Sequence, residues 1–355
     1  MKFVAYTDWS QLPESANALF ARREKDSIFF SRRWLESLTA TVLDDQDLLL
    51  ACVLDGDTGQ NNVLAVLPLI KTATNTGYAL RHRYTTHYSL LLADDDQQQI
   101  LTCLAHGVSQ LPLHSLLLEP VALDDSRMLA FKEVMETAGY SCEYVFRFYN
   151  WILRLHGQCY AQYMADRPSR LRSTISRKQR KLEREHGYEI RLYVGQEVPS
   201  FMPDYYTVYT ASWKANEQYV SFLDGVVAAL STADSSGQGW SRLAVLYVRQ
   251  QPVAAQLWFV LHGKANIFRL AYDEDWKAYS PGSILTSYLM AYVIDTDKVQ
   301  EIDFLSGNDA YKQDWMSERR ERYALSFTNK ITAKHPSQKY FESFKKLFSL
   351  RSLKR

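Results

Sequence analysis

The chain of 355 residues carries 41 Lys and Arg against 40 Asp and Glu, which gives a formal net charge of +1. That balance argues against a general electrostatic affinity for DNA or for an anionic membrane, so any such affinity must be local. The hydrophobic share of 46% is that of a soluble globular protein, and the length leaves room for two domains with separate cores.

The four cysteines are widely spaced and include no C-x-x-C pair. They indicate neither a zinc site nor a disulfide framework, so a reducing compartment is expected. The first residues lack a basic segment followed by an apolar one, and no run approaches the ~18 apolar residues of a membrane helix. The eight histidines show no H-E-x-x-H spacing, so no metal is predicted. The expectation is a cytoplasmic protein that does not bind DNA.

Residues 1–155 are predicted to form a first α/β unit. The pattern contains two helices, a hairpin of two strands, and then a strand, a helix and a final strand. Gly139 follows the last of these helices and is expected to end it. The predicted helices are 12–23, one that opens within 29–35, and 127–138; the predicted strands are 48–54, 62–71, 114–119 and 144–155.

Residues 156–187 form a strongly basic connector that is predicted to be one long helix. From Arg167 to Arg191 the chain holds seven Arg and two Lys against three Glu. Arg177 and Arg180 fall on one helical face with further basic residues. This cluster favours a polyanionic ligand: coenzyme A, a nucleotide sugar, an undecaprenyl-phosphate-linked sugar or a tRNA acceptor end. A solvated helix flanked by glutamates is the alternative.

Residues 188–333 are predicted to form a second unit. Its first helix, over 204–216, carries an aromatic stripe that ends at Trp213, and such a stripe is either core or a platform for a sugar ring. An antiparallel meander follows, in which Gln256 is a polar residue inside an apolar strand. Gln256 either faces the substrate or bonds a neighbouring backbone. The predicted strands are 188–194, 242–248, 253–261, 265–272, 301–305 and 322–332.

The stretch from 267 to 315 combines a strand, an acidic and aromatic turn, a helix and a second strand. Ser280 can cap the helix, Pro281 stands where the first helical residue should be, and Gly282 allows a ligand to approach the backbone. A strand, a tight turn and a helix start expose backbone N–H groups and the positive end of the helix dipole. This arrangement suits a phosphate group.

Residues 334–355 are predicted to form a basic amphipathic helix with a bulky aromatic face. Two interpretations of that face are open. It docks on the sheet of the second unit, or it lies in a membrane interface as a peripheral anchor.

An ordered series of residues in the second unit resembles one acyltransferase group. The series is Ala271-Tyr272, Tyr279-Ser280-Pro281-Gly282, Ile302-Asp303-Phe304-Leu305-Ser306-Gly307, Tyr311-Lys312 and Trp315. It is similar to the GNAT-superfamily acetyltransferases associated with cellulose and exopolysaccharide biosynthesis, which are relatives of the Fem-type aminoacyl transferases. The resemblance implies an α/β (α+β) fold of two tandem GNAT-like units, with mixed, mostly antiparallel sheets flanked by helices.

The resemblance also implies an activity, namely acyl-CoA-dependent N-acylation of an amino group on a sugar or polysaccharide precursor. Acetyl-CoA or another acyl-CoA is then a co-substrate, with no permanently bound cofactor. The first unit is a degenerate copy, because Glu119-Pro120-Val121 stands where the phosphate turn would be. The two strands 267–272 and 301–305 splay apart around the thioester. The residues expected to bind the donor are Tyr272, Tyr279, Ser280, Pro281 and Gly282.

The catalytic residues implied by the resemblance are Tyr311, as the acid that protonates the leaving thiolate, and Asp303, as the base. Alternatives are open for both: Tyr311 forms a buried stripe with Trp315, and Asp303 caps the turn after its strand. Lys312 binds a phosphate or carboxylate of the substrate, or pairs with Asp303. The expected acceptor contacts are Gln256, Trp213, Lys312, Arg177 and Arg180.

The sequence departs from the group after Gly307, where relatives carry an acidic pair and this chain has Asp309 alone. Two other function classes are open. One is aminoacyl transfer from charged tRNA, as in the Fem-type enzymes, and the other is a non-catalytic accessory protein of a surface-polysaccharide system.

Overall fold

A computed structural model describes residues 1–330 apart from 43–46, 57–61, 73–74, 95, 215–216 and 234–236. The predicted basic helix within 334–355, with both interpretations of its aromatic face, lies outside the described residues.

The chain alternates strands and helices throughout. The strands are β1 (Lys2–Tyr6), β2 (Asp47–Leu54), β3 (Val63–Lys71), β4 (Thr76–Ala79), β5 (Leu91–Leu92), β6 (Ser115–Val121), β7 (Tyr140–Arg154), β8 (Glu189–Val194), β9 (Ser241–Val248), β10 (Gln251–Leu261), β11 (Lys264–Tyr272), β12 (Glu301–Ser306) and β13 (Glu318–Asn329). The helices are α1 (Ala16–Arg23), α2 (Arg32–Val42), α3 (Gln97–Gln110), α4 (Ser126–Thr137), α5 (Tyr160–Ala165), α6 (Ser169–Glu185), α7 (Val198–Thr210), α8 (Val220–Ser231), α9 (Pro281–Asp295) and α10 (Lys312–Trp315).

Within the described residues, all the strands join one sheet. Its order is β1-β2-β3-β4-β6-β13-β7-β12-β11-β10-β9-β8, with β5 paired to β3. The pairs β4–β6 and β11–β12 are parallel and the others are antiparallel. The predicted α/β fold with a mixed, mostly antiparallel sheet flanked by helices is confirmed.

The two halves of the chain interlock at the centre of this sheet. The long strand β7 pairs with β12 on one side and with β13 on the other. Strand β13, from the end of the described chain, also pairs with β6 of the first half. The division into 1–155, 156–187, 188–333 and 334–355 stays a prediction, since the sheet runs continuously across it.

Three apolar clusters hold helices against the two faces of the sheet. The first half packs α3 and α4 on one face. Helices α1, α2, α7 and α8 from both halves share a second cluster. The opposite face of the second half is covered by α5, α6 and α9. Helices α7 and α9 therefore pack on opposite faces of β10 and β11. A ligand bound between these strands and β12 can be approached from the α7 face or from the α9 face of the sheet.

The connector differs from the single helix that was predicted. It consists of α5 and α6, separated at Pro168, whose backbone is extended rather than helical. Proline lacks an N–H group and disfavours the helical conformation of its predecessor, so it starts a new helix. Helix α7 begins at Val198 and ends at Thr210, which leaves Trp213 in the loop beyond it. The two helices α3 and α8 were not predicted.

A buried histidine joins the two halves and should make the fold sensitive to acid. His82 is 5% exposed and packs on the rings of Tyr219 and Phe222 at 4.5 and 4.3 Å. Burial, together with the charge of Arg83, lowers the pKa of His82 to about 3. Because the ordinary value is 6.5, the unfolded chain binds the proton first as the pH falls. The contribution of neutral, buried His82 to the free energy of unfolding is fully present above pH 6.5. It is lost progressively as the pH falls from 6.5 toward 3.

We therefore expect His82→Gln to flatten the dependence of stability on pH between 7 and 5. The wild-type slope attributable to one such group is on the order of 1.4 kcal/mol per pH unit. Denaturant unfolding at several pH values measures it, with His106→Gln as the control, since His106 is exposed on α3. Equal slopes for the wild type and His82→Gln would refute this assignment.

Candidate functional site

A gap opens in the sheet where β11 and β12 separate. The two parallel strands pair at Lys264↔Glu301 and Ala265↔Ile302, and last at Asn266↔Asp303. Beyond that point β11 continues to Tyr272, paired only with β10. The separation matches the predicted splay of these strands, and it leaves main-chain groups of β11 without a neighbouring strand.

A bulge lies at the start of the gap. The register of β10 with β11 shifts between Leu257↔Arg269 and Trp258↔Ile267, so Phe268 is an extra residue. Past the bulge, the N–H of Asp273 bonds the carbonyl of Val253. Residue pairs across two antiparallel strands alternate between hydrogen-bonded and non-hydrogen-bonded pairs. Counted from the bonded Asp273, Leu270 belongs to a non-hydrogen-bonded pair. Its main-chain N–H and C=O groups therefore point away from β10 and into the gap. An extended ligand in the gap can therefore pair with β11 as a strand would.

A tight turn and a helix start lie at the open end of the gap. A 3₁₀ turn over Glu274–Tyr279 is followed by Ser280 in the left-handed conformation, with φ of 53°. Pro281 is the first residue of α9, as predicted. Ser280 occupies the N-cap position, but its side chain does not cap the helix; its carbonyl accepts the N–H groups of Ser283 and Ile284 instead. The helix start remains available to an anion.

Gly282 gives this helix start its close packing. A Cβ atom at Gly282 would lie 3.1 Å from Cδ1 of Tyr272, so the ring of Tyr272 rests directly on the backbone there. From the other side, the buried amide of Gln256 donates to the carbonyl of Gly282 at 2.9 Å and to Oγ1 of Thr286 at 2.8 Å. Gln256 thus follows the second of its predicted alternatives: it bonds a neighbouring backbone and fixes the first turn of α9.

The basic helix α6 lies beside the turn. Nζ of Lys178 donates to the carbonyl of Ala278 at 2.5 Å, and the ammonium of Lys181 lies 4.7 Å from the ring centroid of Tyr279. The hydroxyl of Tyr279 donates to Glu185 at 3.0 Å and lies 2.8 Å from Nε2 of His186. Two lysines and the helix start of α9 therefore place positive charge around the same turn.

Arg177 and Arg180, which were expected to contact the acceptor, are not among the described residues that contact this turn, and their contact with the acceptor stays a prediction. Both arginines are exposed, and Arg180 bonds Ser176 one turn earlier on the same helix. Leu171, Ile175 and Leu182 are the buried residues of α6. Their spacing of four and seven residues sets the inward face, and Lys178 lies on it. That periodicity is the signal that could have identified Lys178 from sequence.

Tyr311 lies beside the gap with an accessible side chain. It is 44% exposed, whereas Trp315 is 2% exposed, so the two do not form a common buried stripe. The ring of Tyr311 lies 6.4 Å from that of Phe304, in β12. Partial burial and the neighbouring Asp309 carboxylate raise the pKa of Tyr311. The phenol therefore keeps its proton at neutral pH, as a general acid must.

Asp303 lies at the apex of the gap and is held by its neighbours. Its Oδ1 accepts from Nδ2 of Asn150 at 2.5 Å and from the N–H of Leu305 at 2.6 Å. Burial raises the pKa of Asp303, and the Asn150 hydrogen bond and the charge of Arg322 oppose that shift. The Leu305 bond is the turn-capping contact foreseen as the alternative to a base. Asp303 also lines a polar cavity of about 50 Å³ between the two halves.

Lys312 is a buried lysine that ties the end of β12 to α10. Its Nζ donates to the carbonyl of Phe304 at 3.0 Å and of Ser306 at 2.5 Å, and lies 3.8 Å from Asp309. These partners do not include Asp303, the pairing that was expected as the alternative. Contact of Lys312 with a phosphate or carboxylate of the substrate stays a prediction.

Trp213 and a residue that sequence reasoning missed, Lys214, meet the gap from the α7 side. Trp213 is 51% exposed and its ring lies 4.6 Å from that of Tyr272. Nζ of Lys214 donates to the main-chain carbonyl of Leu270, one of the groups that point into the gap. Lys214 stands in a loop without periodicity, so no sequence pattern distinguishes it.

Comparison with known proteins agrees with this geometry. The profile of the "Acetyltransferase (GNAT) domain" family matches residues 169–313, from the start of α6 to α10. Among solved structures, a tandem GNAT protein from the clavulanic acid biosynthesis pathway is similar over 95% of this chain and 99% of its own, with a TM-score of 0.51 and 12% identity. The chain has a tandem GNAT fold.

Two further structures share the GNAT-like fold. FemX is similar over 98% of this chain and 100% of its own, with a TM-score of 0.63 and 11% identity. L-PGS from Bacillus licheniformis is similar over 83% of this chain and 91% of its own, with a TM-score of 0.50 and 13% identity. No curated protein matches the sequence significantly. The GNAT domain match contains the gap, the turn and Tyr311, and a GNAT domain in general uses acetyl-CoA as co-substrate.

Proposed function

We propose that the second half of the chain binds an acyl-CoA at the gap and the turn before α9, and transfers the acyl group to an amine. The observation that carries this proposal is the separation of β11 from β12 beside a helix start flanked by Lys178 and Lys181. The helix dipole and the lysines suit the pyrophosphate. The inward N–H of Leu270 suits an extended pantetheine arm, while its carbonyl accepts a hydrogen bond from Lys214. Tyr272, Tyr279, Ser280, Pro281 and Gly282 then form the donor site.

Tyr311 serves in this proposal as the general acid. When the amine attacks the thioester carbonyl, the C–S bond breaks and the departing thiolate needs a proton. Tyr311 is exposed beside the gap and holds a proton at neutral pH. Asp303 receives the proton of the amine, directly or through water in the adjoining cavity. Its raised pKa makes it a better proton acceptor than an ordinary aspartate.

The first half differs from the second at the equivalent place. There β4 and β6 are the parallel pair, which ends at Tyr78↔Leu117. Just beyond, the buried carboxylate of Glu119 pairs with both Arg81 and Arg147. An ion triad at this position fills the space that a pantetheine arm would need. This favours one donor site per chain, with residues 1–155 shaping the acceptor side.

The acceptor proposed here is an amino group on a sugar or polysaccharide precursor. The exposed ring of Trp213 offers a face on which a sugar ring stacks, and it lies next to Tyr272 at the gap. Exopolysaccharide biosynthesis as the setting rests on the sequence resemblance alone. A cytoplasmic location rests on the spacing of the cysteines and on the lack of a signal pattern or a long apolar run in the sequence. A membrane contact through residues 334–355 rests on their basic amphipathic pattern. No helix among the described residues is long and apolar enough to cross a membrane.

Release of free thiol from acetyl-CoA tests the activity. We expect release to rise above the acceptor-free rate with at least one amino sugar or nucleotide amino sugar from a panel. The Tyr311→Phe variant serves as the matched control for turnover. Transfer of a labelled amino acid from charged tRNA, without thiol release from any acyl-CoA, would replace this proposal with the Fem-type activity. Absence of both reactions, together with absence of coenzyme A binding, would favour the accessory-protein class.

If the turn before α9 binds the donor, substitution of two neighbouring basic residues of α6, Lys178 and Arg177, should affect the affinity for coenzyme A differently. Lys178→Ala should weaken coenzyme A binding by about fivefold, on the order of 1 kcal/mol, because a phosphate loses one partly exposed cation. The loss should shrink as salt is added. Arg177→Ala is the matched control and should change the affinity little, since Arg177 faces solvent. Calorimetric titration at two salt concentrations measures both, and equal effects of the two substitutions would contradict the assignment of Lys178.

A further inference from the structure

We call the turn Glu274–Tyr279 before α9 the donor turn, after its proposed role. Lys214 enters the gap from the opposite face of the sheet. It follows α7, which packs on one face of β10 and β11, whereas α9 packs on the other. Its Nζ donates to the carbonyl of Leu270, two residues beyond the bulge at Phe268. A primary amine therefore already occupies the side of the gap from which an acceptor amine would approach the thioester.

The surroundings of Lys214 favour its neutral form. Two ring contacts oppose this preference, because an aromatic face stabilises a cation: Nζ lies 5.2 Å from the ring centroid of Trp213 and 5.6 Å from that of Tyr209. In the described part of the chain it forms no ion pair with a carboxylate. Burial, with the charge of Arg269, lowers the pKa of Lys214 to about 7, although Asp309 opposes the shift. The lowered pKa increases the fraction of Lys214 that is unprotonated, and therefore nucleophilic, at neutral pH.

We propose that Lys214 is a self-acylation site, whose Nζ takes the acyl group of the bound donor when no acceptor amine fills the gap. This inference rests on the proposed function, because it needs acyl-CoA in the gap. The neutral Nζ attacks the thioester carbonyl, a C–N bond forms and the C–S bond breaks. The proton released from Nζ passes to the thiolate, so the products are an N-acyl-lysine and free coenzyme A.

The modified side chain would close the site. An N-acyl-lysine has no charge, is longer than lysine, and forms an amide that a second amine does not readily attack. It would stay in the gap beside Leu270 and obstruct the next acyl group. Donor without acceptor is therefore expected to inactivate the protein slowly, and an acceptor that fills the gap is expected to protect it.

The test is incubation of the full chain with acetyl-CoA alone, followed by peptide mapping by mass spectrometry. We expect one acetyl group per chain at Lys214, formed faster than at Lys2, which is exposed on β1 at the far edge of the sheet. Excess coenzyme A should suppress acetylation of Lys214 and leave that of Lys2 unchanged. The rate at Lys214 should rise with pH and level off above about 7, while the rate at an exposed lysine continues to rise.

Lys214→Arg is the matched variant, because a guanidinium keeps the positive charge and hydrogen-bond donors and is not acylated. This variant should show no acetylation at position 214. Its affinity for coenzyme A should be the same before and after incubation with acetyl-CoA, whereas the affinity of the wild type should fall. Unmodified Lys214 in a wild-type protein that binds coenzyme A by calorimetry would overturn this inference alone. Failure of the wild type to bind coenzyme A would overturn the proposed function, and the self-acylation with it.

Discussion

Gly282→Val should weaken binding of acyl-CoA by about 10- to 100-fold while the fold survives. The position where a Cβ would stand is 3.1 Å from the ring of Tyr272, and the γ-methyl groups of valine need still more room. Overpacking of this kind costs about 1–3 kcal/mol unless a neighbour moves. Here the neighbour is the ring of Tyr272, which belongs to the proposed donor site, so relief of the clash distorts that site. Calorimetric titration with coenzyme A measures the effect.

Two variants separate this effect from a general loss of stability. Gly225→Val places the same change inside α8, where an added Cβ has ordinary contact with Thr41 at 3.4 Å. It should leave the affinity for coenzyme A unchanged. Gly282→Ala adds the Cβ alone and should fall between the wild type and Gly282→Val. Wild-type affinity in the valine variant would remove the turn before α9 from the donor site.

Tyr311→Phe should lower turnover by about 10²- to 10⁴-fold, the usual contribution of a general acid. The substitution removes one hydroxyl from a side chain that is 44% exposed, so packing and stability should change little. Donor affinity should also stay the same, because only the proton for the leaving thiolate is lost. Single-turnover thiol release and calorimetry together measure the two quantities.

Tyr323→Phe is the matched control for this substitution. Its hydroxyl donates to Glu321 on β13, which pairs with β6 and β7 and not with the strands of the gap. It should retain wild-type turnover. A loss of only a few-fold in Tyr311→Phe would assign Tyr311 to packing against Phe304, and the proton would then have to come from elsewhere.

The turn before α9 and the start of that helix could be predicted from sequence because their signals are local. A proline at the first helical position and a glycine next to it fix the start of α9 within a few residues of sequence. Apolar runs likewise located most strands of the meander that leads to the gap. The GNAT-like fold followed from the order of these pieces together with the resemblance.

The contacts between distant segments could not be predicted in the same way. Nothing in residues 318–329 indicates that β13 inserts between β6 and β7, because this pairing depends on strands more than 150 residues away. The role of Gln256 depends on the carbonyl of Gly282, which lies in a different element. A polar residue in an apolar strand indicates that a partner exists but does not identify it.

The division of the connector into two helices has a physical cause that was present in the sequence. Pro168 breaks the helix, and its restriction on the backbone is known from residue type alone. The choice of Arg177 and Arg180 followed the charges, whereas the buried positions of Leu171, Ile175 and Leu182 set the inward face. Charge identified the helix that lies beside the donor turn. The spacing of its buried apolar residues determines which lysine and arginine side chains of that helix face the turn.

Amide hydrogen exchange with and without coenzyme A tests the donor site most directly. We predict slower exchange in the bound protein over residues 267–284, which contain the inward-facing part of β11, the turn and the first residues of α9. Residues 76–82 and 115–121, at the equivalent place in the first half, should exchange at unchanged rates. Protection in the first half, or binding of coenzyme A without protection of 267–284, would contradict the proposed site.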